Sequence, residues 1–160
     1  MQNQVRDTAN VEGGKGLRGE GISWRRLPLA MLLAALGAAV VNAVVYSAAS
    51  RIGFIPENLP VPTPGGEQPL TVVSVVIGSV IGAIGAAIAF AVIGLVARRP
   101  VRQFRIFSVG VLVLSFAGPP ATSGAPLSMV LSLEAMHVAA WAVIVGLLTL
   151  LARRDDLAGE

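Results

Sequence analysis

The residues of this 160-residue chain best suited to chemistry are Glu134 and His137, in Leu133-Glu134-Ala135-Met136-His137. Three positions apart, they share a helix face, and the run around them, from Leu127 to Ala152, is otherwise almost wholly apolar. An ionised side chain at the centre of a bilayer costs about 2.5 to 3.5 kcal/mol on insertion scales, so such groups face a partner or a cavity. A carboxyl and an imidazole so placed could relay protons or hold a polar ligand entering from outside. Metal catalysis is a poor fit. Glu-x-x-His builds di-iron centres where two such motifs converge with two further Glu residues, but the other apolar stretches here hold no Asp, Glu, His or Cys. No metal and no cofactor is expected.

Other chemistries lack their residues. The chain has no cysteine, which removes thiol exchange, thiolate metal sites and iron–sulfur clusters. It has one His but no Gly-x-Ser-x-Gly turn, no intramembrane Asp and no phosphate-binding Gly-x-x-x-x-Gly-Lys. Gly78-Ser79-Val80-Ile81-Gly82 looks like an intramembrane serine protease motif only superficially, because companion residues at suitable spacing are missing. The expectation is a protein that is not an enzyme.

The elements that would position Glu134 and His137 follow from hydropathy. The chain is 54% hydrophobic and 13% charged, with a mean hydropathy of +0.75, against about 25% charged in soluble proteins. Four apolar stretches predict helices at about 27–50, 70–98, 102–118 and 126–152, since about 20 helical residues cross a hydrocarbon core about 30 Å thick. The third is the shortest and draws on the stems of Arg102 and Arg105, which can snorkel to the interface. The runs are continuous rather than alternating, which favours helices over a barrel. The fold class expected is an all-α membrane protein, an up-down-up-down antiparallel bundle of four transmembrane helices over 23–154. Residues 1–22 read as a disordered cytoplasmic tail and 155–160 as a C-terminal tail.

Charge orients the bundle. Arg6, Lys15, Arg18, Arg25 and Arg26 precede the first stretch, Arg98, Arg99, Arg102 and Arg105 join the second to the third, and Arg153 and Arg154 follow the fourth. With four crossings all of these fall on one side, leaving Arg51 alone on the other, so both termini are expected in the cytoplasm of a bacterial cell. The first stretch is too long, behind too long a polar lead, for a cleaved signal peptide. The basic 98–105 segment is expected to attract anionic lipid. The pI near 10.6 reflects topology, and no nucleic acid is expected. Trp24, beside Arg25 and Arg26, reads as an interface anchor, and Trp141 as packing. The loop between the first two helices holds Pro56, Pro60, Pro62, Pro64 and Pro69 and is expected to be extended, partly polyproline II and exposed.

Lipid tails are as apolar as leucine, so helices in a membrane associate by close backbone approach and interhelical hydrogen bonds. Ser74, Gly78, Gly82 and Ala86 form the expected seam of the second helix, facing alanine stripes of the first at Ala35, Ala39 and Ala43 or Ala34, Ala38 and Asn42. Gly78 and Gly82 could instead join two copies of the chain or a membrane partner.

At about 1.5 Å per residue from the outer boundaries, Glu134 and Asn42 both lie about 10 Å deep, with His137 about 15 Å deep. A polar cluster of Asn42, Tyr46, Glu134 and His137 is therefore predicted, with Ser79, Ser115 and Arg51 as further members. Its plainer reading is interhelical glue, with Glu134 protonated or paired; its functional reading is a small-molecule or proton-handling site.

The layout resembles a family of uncharacterised small four-helix membrane proteins of high-GC Gram-positive bacteria. The resemblance runs from Trp24 to Arg154 and is carried by Trp24-Arg25-Arg26, the stretch from Asn42 to Tyr46, the proline-rich loop, Arg98-Arg99-Pro100-Val101-Arg102 and Ala135-Met136-His137. It implies no activity. It directs attention to the surroundings of Asn42 and His137.

Overall fold

The computed structural model describes residues 21–56, 60–63, 66–118 and 124–152; of the tails expected over 1–22 and 155–160, only residues 21 and 22 lie inside them, and Ile22 is buried rather than free. It contains helices α1 (Leu27–Arg51), α2 (Val72–Val96), α3 (Pro100–Ser115) and α4 (Leu127–Leu151), with strands β1 (Pro60–Thr63) and β2 (Gly66–Pro69) between α1 and α2. Three helices, α1, α2 and α4, are long and apolar enough to cross a membrane. The third, at 16 residues, is about 24 Å long at 1.5 Å per residue. Large apolar side chains on its flanks and on its neighbours point outward, among them Leu36, Val44, Ile81, Ile88, Leu114 and Leu131.

Local signals set the boundaries. The side chain of Thr71 accepts a bond from the Ser74 amide while Ser74 Oγ accepts from the Thr71 amide at 2.9 Å, a reciprocal cap for α2. Pro100 opens α3 rather than merely ending α2: it stands in the first turn, where its missing N–H costs nothing. The proline-rich loop is a paired hairpin, not a free polyproline segment. Its register is Pro60 with Pro69, Val61 with Gln68, Pro62 with Glu67 and Thr63 with Gly66. All three prolines therefore share one parity, leaving the alternate pairs to exchange ladder bonds.

Helix α1 is the hub, packed along both α2 and α4. Ala30, Ala34 and Ala38, at one-turn spacing, are fully enclosed, with Ala35 and Ala39 beside them. Gly37 marks a close approach to α4, where a Cβ would come within 2.8 Å of Val143 Cγ1. Helix α2 meets the core through Val75, Ser79, Ala83, Ala87 and Phe90, one position along from the expected stripe. Of the expected seam, Ala86 packs beside the core, Ser74 is spent on the cap, and Gly78 and Gly82 have open space where a Cβ would stand.

Contacts sort the chain into two ends. At one, the Ser23 amide donates to the Ala152 carbonyl at 2.8 Å, and Ile22 packs over Gly94. Here Phe104 of α3 lies against Phe90 of α2 with ring centres 4.7 Å apart, and Arg25, Arg26, Arg98, Arg99 and Arg102 are exposed nearby. At the other, Ala49, Ile55 and Met129 form a small apolar knot with Tyr46, Leu70, Ala125 and Leu133 packed against it. Helix α3 is held by its first half, through Pro100, Val101, Phe104 and Ser108, and buries no residue beyond Ser108.

Gly37→Ala should destabilise the protein by about 1 to 3 kcal/mol by overpacking α1 against α4, whereas Gly82→Ala should cost nothing. Thermal unfolding of both variants in the same detergent checks the contrast; equal effects would mean that the α1–α4 approach is looser than described.

Candidate functional site

Four small polar side chains of the helices, Asn42, Ser79, Ser108 and Thr149, take part in bonds across helix interfaces. Asn42 of α1 donates from Nδ2 to Ser79 Oγ of α2 at 3.0 Å, and Ser79 in turn donates to the Val75 carbonyl. Tyr46 donates to the Leu70 carbonyl at 2.7 Å, tying α1 to the start of α2. Between α3 and α4, Trp141 donates from Nε1 to Ser108 Oγ at 3.2 Å, and Arg105 reaches the buried Thr149 hydroxyl at 3.3 Å. Each such bond is worth about 0.6 kcal/mol on average in a membrane protein, enough to fix register but not to drive association.

Helix α3 buries no residue beyond Ser108, and its second half walls a cleft against α2 and α4. The cleft has a volume of about 400 Å³ and is floored by Gly82, Gly85 and Ala86, with Phe107, Ser115 and Trp141 on its walls. A second cavity of about 360 Å³ lies between α2 and α4 and is lined by Asn42, Ser79, Gly78, Leu70, Met136 and Leu133. The two adjoin at Gly82, His137 and Ile144, which line both.

His137 stands at that junction and is exposed to the cleft mouth. Its Nδ1 lies 2.7 Å from the Leu133 carbonyl of the preceding turn. A carbonyl only accepts, so Nδ1 is a donor in this contact. Asn42 is 7% exposed, and its Oδ1 is buried without a hydrogen-bond partner.

The predicted cluster is thus divided. Asn42, Ser79 and His137 line one cavity; Tyr46 is committed to a backbone carbonyl. Ser115 lines the cleft and donates to Leu112 of its own helix. Glu134 is half-buried and Arg51 exposed. Neither lines these two cavities, and no hydrogen bond or ion pair joins Glu134 to any described residue. Among the described residues no three His, Cys, Asp or Glu side chains converge as a metal site would require.

The bonds from Trp141 to Ser108 and from Arg105 to Thr149 were not anticipated. Their signal was present in the sequence as hydrogen-bonding residues at helical spacing, Arg105 with Ser108 and Trp141 with Thr149, one face of α3 matched to one face of α4.

Neither curated proteins nor solved structures give a match to the chain. A family of unknown function, DUF6069, matches residues 22–154, which takes in all four helices and the hairpin. The chain belongs to that family, DUF6069.

Proposed function

We propose that the chain is a four-span, up-down-up-down integral protein of a bacterial cytoplasmic membrane, with both termini inside, and that it serves as an accessory or structural membrane protein rather than an enzyme. The observation that carries this reading is the use of the small polar side chains. Those of α1, α2, α3 and α4 that bond between helices do so in pairs, Asn42 with Ser79, Trp141 with Ser108 and Arg105 with Thr149, and no described group stands as an activated nucleophile or an acid–base pair. The fourth span is α3, whose shortfall in length is supplied by Arg102 and Arg105 at one end and by a thinned bilayer or the turn at 116–118 at the other.

Orientation rests on the shared end of the basic residues. Arg25, Arg26, Arg98, Arg99 and Arg102 lie where Ser23 meets Ala152, and short basic flanks resist translocation. The same residues, with Arg105, would hold anionic headgroups at the cytoplasmic surface. A homo-oligomer or a partner helix could use the open glycine face of α2.

A proton-handling role gains little support. It needs a chain of exchanging groups, and Glu134 has no hydrogen-bonding partner among the described residues while the His137 Nδ1 proton is tied to a backbone carbonyl. A ligand-binding role keeps one feature, the position of His137 on two adjoining cavities.

Because the chain has no cysteine, single introduced cysteines report sidedness cleanly. In intact cells, Glu67→Cys and Gly118→Cys should react with a membrane-impermeant maleimide and Arg99→Cys only after permeabilisation. If Gly118→Cys behaves like Arg99→Cys, α3 does not span. For the polar groups, Asn42→Val should cost about 0.6 to 1.7 kcal/mol of stability through the lost bond to Ser79, while Glu134→Gln should leave unfolding in detergent unchanged. A large loss for Glu134→Gln would assign that carboxyl a structural partner.

A further inference from the structure

We propose that the basic end of the α3–α4 seam is a site for one anionic phospholipid, its phosphate held by Arg105 and Arg102 and an acyl chain descending along Val109 and Gly146. This deepens the headgroup contact proposed above, and it rests on the reading that the basic end of a membrane-spanning bundle meets the cytoplasmic leaflet.

The site begins with a guanidinium that is fixed on one side and open on the other. Arg105 is exposed, yet it donates from Nη2 to Thr149 Oγ1 of α4 at 3.3 Å. Thr149 is 2% exposed and itself donates to the Val145 carbonyl at 2.8 Å, so the arginine is anchored on a hydroxyl whose own direction is set. A guanidinium carries five donors in a rigid fork that matches phosphate oxygens, and this bond uses one of them. Arg102, three positions earlier and so on the same face of α3, is exposed, and its side chain bonds to no described residue.

Charge and depth select the occupant. Among the described residues the carboxylates are Glu67, in β2, and Glu134, about two turns into α4 from its opposite end; neither stands at the basic end. Arg105 lies five residues into α3, about 7.5 Å along the helix from Pro100, and Thr149 lies two residues inside the end of α4 at Leu151. An anion that meets the open side of Arg105 is therefore below the helix ends, in the interfacial layer where lipid phosphates sit. A soluble acidic partner meets Arg98 and Arg99 first.

Below the charges the surface turns apolar and low. Val109 and Val113 continue the Arg102–Arg105 face of α3 at one-turn steps and are exposed. On α4 the same steps lead from Thr149 to Gly146 and Ala142; no neighbour lies within 4 Å of a Cβ built on Gly146, and Ala142 is exposed. The Arg105–Thr149 bond joins the two stripes at their head, so a chain leaving the phosphate runs between them.

Native mass spectrometry of the purified protein in detergent counts the bound lipid. Offered dioleoyl phosphatidylglycerol or dioleoyl phosphatidylcholine, the protein should retain one phosphatidylglycerol through collisional activation that strips the rest, and no phosphatidylcholine. Arg105→Gln and Arg102→Gln should each weaken retention about tenfold, the loss expected for a charge-assisted bond, and by more than Arg99→Gln, which removes the same charge. Two further variants leave the charge untouched. Thr149→Val releases the Arg105 guanidinium and should weaken retention about threefold. Gly146→Leu, which fills the path of the chain, should weaken it at least as much while leaving thermal unfolding in lipid-free detergent unchanged. Millimolar inorganic phosphate should not displace the lipid.

Equal losses from Arg99→Gln and Arg105→Gln, with Thr149→Val and Gly146→Leu silent, would overturn the proposal in favour of diffuse attraction to a basic surface. Equal retention of phosphatidylcholine would overturn it too, as would displacement by inorganic phosphate, which would mark an anion site without a lipid. Maleimide labelling of Gly118→Cys reports the span separately, so a missing lipid with sidedness intact counts against this site alone. If Arg105→Gln fails to fold, Arg102→Gln and Gly146→Leu decide.

Discussion

Helix α1 can approach its neighbours closely because its inward face is built almost entirely from alanine, and the rest of the structure depends on that approach. In lipid no hydrophobic gain accompanies the meeting of two apolar helices, so contact must come from dispersion over well-matched surfaces and from a few hydrogen bonds. Ala30, Ala34 and Ala38 bring the backbone of α1 to its partners, and Gly37 brings it within van der Waals limits of Val143 on α4. The leucines and valines of the same helix, Leu32, Leu36, Val40 and Val44, face away. A soluble helix would have them inside.

The other helices take their places relative to that hub. Helix α2 matches it with Ser79, Ala83 and Ala87, and the Asn42–Ser79 bond fixes the register between them. Helix α3 does not touch α1; it is secured by the Phe90–Phe104 contact and by polar bonds near the basic end. With its buried residues confined to one half, the remainder walls a cleft with α2 and α4, and that space places His137 at a junction rather than in a packed core. The cleft is therefore a consequence of how α3 is held, not an addition to the fold.

Much of this was legible in the sequence, and the failures have identifiable causes. Long apolar runs and the breaking residue Pro100 announce the helices directly, because hydropathy and backbone chemistry are local. The phase of α2 was not legible: Ser74-Gly78-Gly82-Ala86 and Val75-Ser79-Ala83-Ala87 are adjacent stripes of small residues, and only the partner surface decides which one packs. Asn42, Ser79 and His137 were drawn to one cavity by matching depth, which is a one-dimensional quantity. Glu134 shares that depth but not that cavity, since depth says nothing of azimuth when four helices surround an axis. The hairpin was hidden because polyproline and β conformations share much of their backbone geometry, and pairing is a non-local event.

The account stands or falls on the closeness of α1 and α4. Cysteines introduced together at Gly37 and Val143 of this cysteine-free chain, the second also relieving the crowding at the first, should form an intramolecular disulfide on mild oxidation in native membranes, detected by mass spectrometry of the digested protein. Rapid, near-complete formation is the result predicted, since a Cβ added at Gly37 would stand 2.8 Å from Val143 Cγ1. Two free thiols that persist under conditions where an exposed cysteine pair oxidises would contradict it, and with it the arrangement of the other helices around α1.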